Sequence, residues 1–274
     1  MTKAGWALMR GTTSTVLMYH DVVLGSDVDA SGYPGAGPAS FKVEAALFEQ
    51  HLEAIAAYVA SRTVRVSCQP SSASSNACCL TFDDGGVSAI SSIASSLERR
   101  GWRGLFFVTT DRIGDLGFLS AEQIRELHAR GHSVGSHSRS HPDRLAELPR
   151  ESVRAEWRES IEVLSDILGE RVARASVPNG SFNRTVGEEA DAAGIRALYT
   201  SEPTRRSAQI GRCSIIGRYN VRANTQASWV AAVAAGARPP RYTQWLEWNL
   251  KRVVRLVAGE HFTRVRHLWL RGRR

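Results

Sequence analysis

Three short segments concentrate the residue types that do chemistry. Thr81-Phe82-Asp83-Asp84-Gly85 ends an apolar run with two adjacent carboxylates, and Gly85-Gly86 permits a sharp turn behind them. Like charges this close raise one pKa unless a cation offsets them. His137-Ser-Arg-Ser-His141 supplies two imidazoles four residues apart. On one face of a helical turn they would be close enough to share a metal ion. His20-Asp21 closes a third apolar run, residues 16–19. Each segment alone has a plainer reading: an exposed Asp-Asp-Gly turn, a surface histidine pair, a core histidine. Together, two imidazoles and one carboxylate make a three-ligand site with positions open for water and substrate. A histidine at another strand end is then placed as a general acid.

These segments need elements to hold them. Apolar runs predict strands at 16–19, 78–82, 105–109, 133–136, 173–177 and 197–200. Helical spacing predicts helices at 44–60, 87–100, 120–130, 150–168 and 186–193, with Ser120 as an N-cap and Gly131 as a stop. Residues 25–40 and 71–76 read as loops, 215–219 as a last strand and 227–236 as an Ala-rich helix. Strand and helix alternate without hairpin signals, which implies a parallel sheet covered by helices. Such a barrel carries function at the C-terminal ends of its strands, where all three segments fall. Cys78 and Cys79 lie inside an apolar strand and read as core.

Composition bounds the rest. The chain has 274 residues, 43% apolar and 23% charged, enough for a sizeable core and unlike a disordered tail. Four cysteines without Cys-x-x-Cys spacing exclude a disulfide scaffold. No run of about 18 apolar residues offers a spanning helix. Residues 1–15 lack the apolar stretch of a secretion signal, so a cytoplasmic location is expected. The net charge of +8 invites a nucleic-acid reading, yet residues 241–274 hold nine Lys+Arg against two Glu, leaving +1 for residues 1–240. A near-neutral body speaks against nucleic acid as a partner. The chain divides into a barrel domain over 1–240 and a basic amphipathic helical tail over 241–274. Leu246, Leu250, Val253 and Val257 predict a tail helix packed on the barrel with its basic face in solvent. Trp245, Trp248 and Trp269 among the arginines give the alternative, a peripheral contact with an anionic membrane surface.

In their order, these segments resemble the polysaccharide deacetylase family (carbohydrate esterase family 4, NodB-homology type) over residues 15–202. Thr81–Gly85 resembles its first motif, His137-Ser-x-x-His141 its His-[Ser/Thr]-x-x-His motif, and Val177–Asn183 its Pro-Tyr-Gly-x-x-Asn motif. The resemblance implies an α/β fold, a distorted (β/α) barrel with a C-terminal helical extension. It implies metal-dependent removal of N-acetyl or O-acetyl groups from a polysaccharide or oligosaccharide, as in exopolysaccharide biosynthesis. Asp84, His137 and His141 would bind a divalent metal, zinc first, with cobalt, nickel or iron(II) as alternatives. Asp83 would be the general base. A backbone N–H near Asn179, in the turn with Pro178 and Gly180, would hold the substrate oxyanion.

The sequence also departs from the family pattern. The Leu-His-Asp segment that usually supplies the acid is not found after Gly211, whereas Leu17-Met18-Tyr19-His20-Asp21 resembles circularly permuted members. That makes His20 the acid, oriented by Asp21 or another partner. Ser176 stands where an arginine often holds the base, with Arg174 on the same strand as the substitute, and Asn179 replaces an aromatic residue. These departures keep open a weak or inactive carbohydrate-binding homologue that retains the metal site. An iron oxygenase site of two histidines and one carboxylate is a further alternative, but it leaves Asp83 without a role. With a cytosolic N-terminus, a lipid-linked precursor on the inner face of the membrane is the fitting form of substrate.

Overall fold

The computed structural model describes residues 7–8, 14–25, 27–61, 65–66 and 77–258. Cys68, the 71–76 loop, most of the N-terminal segment, the side chains of Val253 and Val257, and the tail residues Phe262, Val265 and Trp269 lie outside that description.

Parallel strands buried on both faces read as continuous apolar runs, and two of them set the frame. Strand β1 (Thr15–Tyr19) and β2 (Ala77–Phe82) are buried at every position and pair in parallel register, Thr15 opposite Cys78. Beyond β2 come β3 (Leu105–Val108), β4 (Ser133–Ser136), β5 (Arg174–Ser176), β6 (Ala197–Tyr199) and β7 (Cys213–Ile216), each parallel to the one before. On the other flank, β8 (Tyr219–Asn220) pairs in parallel with β1. Ser207–Ile210 adds an antiparallel strand beside β7, inside the 203–212 stretch.

Helices cover the outside: α1 (Ala45–Ser61), α2 (Ala94–Glu98), α3 (Ala121–Ala129), α4 (Arg150–Leu168), α5 (Arg184–Ala192), α6 (Ala227–Ala234) and α7 (Arg238–Ala258). Their termini follow the sequence signals. Ser120 and Gln123 form a reciprocal capping box on α3, and Gly169 at φ 68° stops α4. The helix expected over 87–100 is continuous only in part, because Ala89–Ile93 is a π-helical turn ahead of α2. The α/β barrel expectation therefore holds, with the last strand split in two.

That split closes the sheet. β7 pairs with β6 and β8 with β1, yet only Gly217 and Arg218 separate them, so one segment joins the two edges. A Cβ on Gly217 would sit 2.4 Å from the Glu202 carbonyl oxygen and 2.5 Å from Thr204 Cγ2, so the close approach requires glycine. Backbone bonds from Thr200 to Ile216 (2.8 Å) and from Arg218 to Glu202 (2.9 Å) knit the seam.

Strand alternation then sorts side chains into two compartments. Leu17, Cys78, Leu80, Phe106, Val134, Ala175 and Leu198 face the helices and form the main core. Val16, Cys79, Leu105, Phe107, Tyr199 and Ile216 form a second cluster that fills the barrel lumen. Both cysteines are buried, as core residues are. Stepping up the strands by two residues from the lumen cluster leads to Met18 and His20, Thr81 and Asp83, and Arg218.

The boundary expected at residue 240 falls inside α7, which begins at Arg238 and takes Pro239 and Pro240 into its first turn. Proline is tolerated there because the first N–H groups of a helix have no intrahelical acceptor.

Candidate active site

Asp83 and Asp84 follow each other but are held by different forces. Asp83 continues the lumen side of β2, and both its oxygens are clamped by Arg218, Oδ1 by Nη1 and Oδ2 by Nη2, each at 2.7 Å. The guanidinium is fully buried and its other donors are also used. Nη1 donates to Thr81 Oγ1 (3.2 Å), Nε donates to the Thr200 carbonyl (3.2 Å), and its plane lies 5.5 Å from the Phe107 ring centroid. Burial pushes the Asp83 carboxyl up, but the Arg218 charge and hydrogen bonds outweigh it, so Asp83 stays below its ordinary value and ionised.

Asp84 turns the other way. It adopts φ 74° and Gly85 adopts φ 83°, where a Cβ would press on Val108 Cα at 3.1 Å. The left-handed aspartate aims its carboxylate at the two histidines: Oδ1 lies 3.4 Å from His137 Nε2 and 3.5 Å from His141 Nε2. Strained backbone of this kind persists where the surrounding structure enforces it, often at functional sites. Burial again raises the carboxyl, and the His137 hydrogen bond with the nearby His20, His137 and His141 charges holds it well below the usual carboxylate range.

The histidine pair is not on a helical turn. Residues 137–141 form a loop in which Ser138 (φ 64°) and His141 (φ 57°) are left-handed. Local hydrogen bonds win over the helix. Ser136 Oγ accepts from the Ser138 N–H and Ser138 Oγ from the His141 N–H, both at 3.0 Å. The buried Glu156 carboxylate of α4 accepts the N–H groups of Arg139 (3.0 Å) and Ser140 (2.9 Å) and the Ser140 hydroxyl (2.7 Å). The loop thus bends both imidazoles towards Asp84. His137 Nδ1 lies 3.1 Å from the Ser176 carbonyl and 2.6 Å from its hydroxyl, whose own proton is directed to Asp83 Oδ1 at 3.3 Å. Nδ1 is thus engaged by Ser176, and Nε2 is the nitrogen that faces Asp84. Burial and the neighbouring His137 pull the His141 pKa down to about 4, so its ring is neutral at pH 7.

Ligand atoms of Asp84, His137 and His141 lie within 4.8 Å of one another. One ionised carboxylate, one neutral imidazole and one imidazole with its outer nitrogen already fixed by a backbone carbonyl form a donor set that fits a divalent cation.

His20 stands at the C-terminal end of β1, its ring 4.9 Å from that of Phe41 and close enough for its charge to act on both aspartates. Its buried Nδ1 has no hydrogen-bond partner among the described residues. The expected partner, Asp21, points elsewhere: its Oδ1 accepts from the Ser31 (2.5 Å) and Ser88 (2.7 Å) hydroxyls. Asp21 packs so closely on Gly32 and Gly86 that a Cβ on either would stand 2.0 Å from its oxygens. It anchors the 25–40 segment to the turn behind Asp84. That segment carries Tyr33 to the site, its ring 4.9 Å from His141. Pro178–Gly180 forms a short turn two residues beyond Ser176, with Asn179 exposed at φ 53° and Gly180 at φ 64°.

Arg174 does not hold the base. It lies on the lumen-facing side of β5 but two residues nearer the strand's N-terminal end than Ser176, whereas Arg218 enters from the seam level with Asp83. Sequence reasoning missed Arg218, although its signal is present: one arginine in the apolar run Ile215-Ile216-Gly217-Arg218-Tyr219 implies a buried anionic partner. It also misread Ser176 as a loss, when its hydroxyl links His137 to Asp83.

Comparison with known proteins agrees with this arrangement. The family model for polysaccharide deacetylase matches residues 71–198. Chitin deacetylase from Arthroderma benhamiae is 29% identical over 110 residues, 40% of this chain and 29% of that protein. Chitin deacetylase from a Pestalotiopsis species is 31% identical over 94 residues, 34% of this chain and 31% of that protein. The chain thus spans under a third of the length of these two relatives. Among solved structures, the Streptococcus pyogenes deacetylase PplD, in complex with acetate, superposes with a TM-score of 0.65 at 18% identity, over 78% of this chain and 94% of that one. IcaB from Ammonifex degensii gives 0.63 at 22% identity, over 84% and 99%. At these identities the structures speak for the fold, and the barrel is that of the deacetylases. Motifs, the family match over residues 71–198 and the fold all make this chain similar to the polysaccharide deacetylases of the NodB type.

Proposed function

We propose that the protein is a metal-dependent hydrolase that removes acetyl groups from an N-acetylated polysaccharide or oligosaccharide. The observation that carries this reading is the Asp84, His137 and His141 cluster beside a second carboxylate, Asp83, which a buried arginine keeps ionised. A divalent cation held by the three cluster residues, zinc being suited to imidazole and carboxylate donors, would supply Lewis acidity to the acyl carbonyl and to water.

The chain's own residues do the remaining work. Asp83 Oδ2 lies 3.9 Å from His137 Nε2, so the base faces the cluster. It takes one proton from the attacking water as the water oxygen bonds to the acyl carbon. When the carbon–nitrogen bond breaks, its electron pair stays on nitrogen and protonated His20 donates a proton there, so that amine and acetate leave. The Pro178–Gly180 turn, at the same strand ends, is the candidate for an N–H donor to the oxyanion. The inactive-homologue reading loses its main ground in Arg218, which supplies the guanidinium missing at position 176.

Acetate release from N-acetylated oligosaccharides tests the proposal. We expect release that stops with chelator, returns with divalent metal and does not need oxygen. Metal-loaded protein that releases no acetate from any acetylated sugar, or release indifferent to chelator, would overturn it.

A further inference from the structure

The C-terminal helix α7 sits on the barrel the wrong way round for a soluble protein. Its inward face carries polar Arg241 and Gln244 beside the half-buried Trp248. Gln244 exchanges two hydrogen bonds with the Asn220 backbone at the seam, donating at 2.8 Å and accepting at 3.1 Å. Arg241 donates to the carbonyls of Gly236 (2.6 Å) and Ala237 (2.8 Å). Its outward face exposes an apolar stripe flanked by Thr243 and Glu247: Tyr242 is 59% exposed, Leu246 45% and Leu250 66%, with Trp245 stacked on Tyr242 at 5.7 Å. The leucines that the sequence predicts against the barrel stand in solvent instead, because the seam offers backbone polar groups and so selects the polar side of the helix.

Beside this stripe a cleft of about 550 Å³ lies between α7 and the 203–206 segment. Among the described residues that line it are Arg205, Arg206, Arg238 and Arg241, together with Tyr242 and Trp245, and no carboxylate. Burial and the Arg241 charge both pull the Arg205 pKa below its ordinary value. The residues after the helix continue the pattern, with five arginines and one glutamate among 259–274. No described helix is long and apolar enough to cross a membrane.

We propose that this face docks on an anionic phospholipid surface, the arginine cleft taking a headgroup phosphate and the Tyr242, Trp245, Leu246 and Leu250 stripe entering the acyl boundary. A cation cluster alone would suit any polyanion. The contiguous aromatic and aliphatic stripe is what selects a bilayer, since only there do phosphates and hydrocarbon lie side by side.

Vesicle co-sedimentation of the full chain tests this. With vesicles of phosphatidylcholine containing about one third phosphatidylglycerol, binding is expected, at least tenfold weaker on phosphatidylcholine alone. The double substitution Leu246→Ser with Leu250→Ser should weaken it at least tenfold, and Arg206→Glu with Arg238→Glu should abolish the preference for anionic vesicles. Circular dichroism of both variants should match the parent. Absence of binding to anionic vesicles at low salt would overturn the proposal. So would binding indifferent to the leucine pair and matched by soluble dextran sulfate, which would mark a polyanion site. A lipid-free dimer that the leucine substitutions dissolve would also overturn it, marking a self-association face.

Discussion

The barrel mouth and the C-terminal helix solve opposite problems. At the barrel mouth, charged and polar groups are buried, and the groups that hold the site in shape are answered by partners: Asp83 by Arg218, His137 by Ser176, the 137–141 loop by Glu156. On α7, Tyr242, Trp245, Leu246 and Leu250 are exposed while Gln244 faces inward to the seam. The first region invests hydrogen bonds in fixing reactive groups before any substrate arrives. The second leaves hydrophobic area unburied, which destabilises nothing inside but has to be satisfied from outside. The contrast separates the site proposed to do the chemistry from the surface proposed to choose where it happens.

The contrast is sharpest at Arg218. Arg218→Leu should strand the buried Asp83 carboxylate and lower stability by about 3–5 kcal/mol. Urea unfolding checks this, and a loss under 1 kcal/mol would mean that the clamp is incidental. His20→Ala should lower turnover by about 10²–10⁴-fold while bound metal, read by elemental analysis, stays at the parent level. Turnover near that of the parent with metal retained would remove His20 from the acid's role. Glu156→Gln acts through the loop, and metal affinity should fall by about 10–100-fold with the fold intact. Titration with a competing chelator measures this, and unchanged affinity would show that the loop holds its shape without the carboxylate. The smallest effect belongs to the other region. Leu250→Ser should change stability by no more than about 0.5 kcal/mol, where a leucine packed against the barrel would cost about 2–5 kcal/mol. A loss in the larger range would place the stripe in the core and erase the contrast.

Much of the barrel was legible because parallel strands announce themselves as apolar runs and their ends as punctuation. Residues 133–136 form a strand to the residue as expected, and Ser120 caps α3 as expected. The cluster of Asp84, His137 and His141 was legible as residue types. Its loop was not, since spacing of four suggests a helical turn while Ser136, Ser138 and Glu156 pull the backbone out of it. The His20–Asp21 pairing was drawn from adjacency, but neighbours on a strand point to opposite faces, so Asp21 could not hold the His20 ring.

What the sequence determined by itself are properties carried within a segment: the strand and helix spans, the caps, the carboxylate and imidazole chemistry, and the concentration of charge in the tail. Tertiary structure decided what depends on distant segments meeting. Arg218 reaches Asp83 across 135 residues because the 213–220 segment closes the sheet. Helix α7 turns its leucines outward because the seam presents backbone donors and acceptors. Local propensity is short-ranged, whereas the desolvation of a buried charge or a free backbone group is felt only once the far side of the fold is in place.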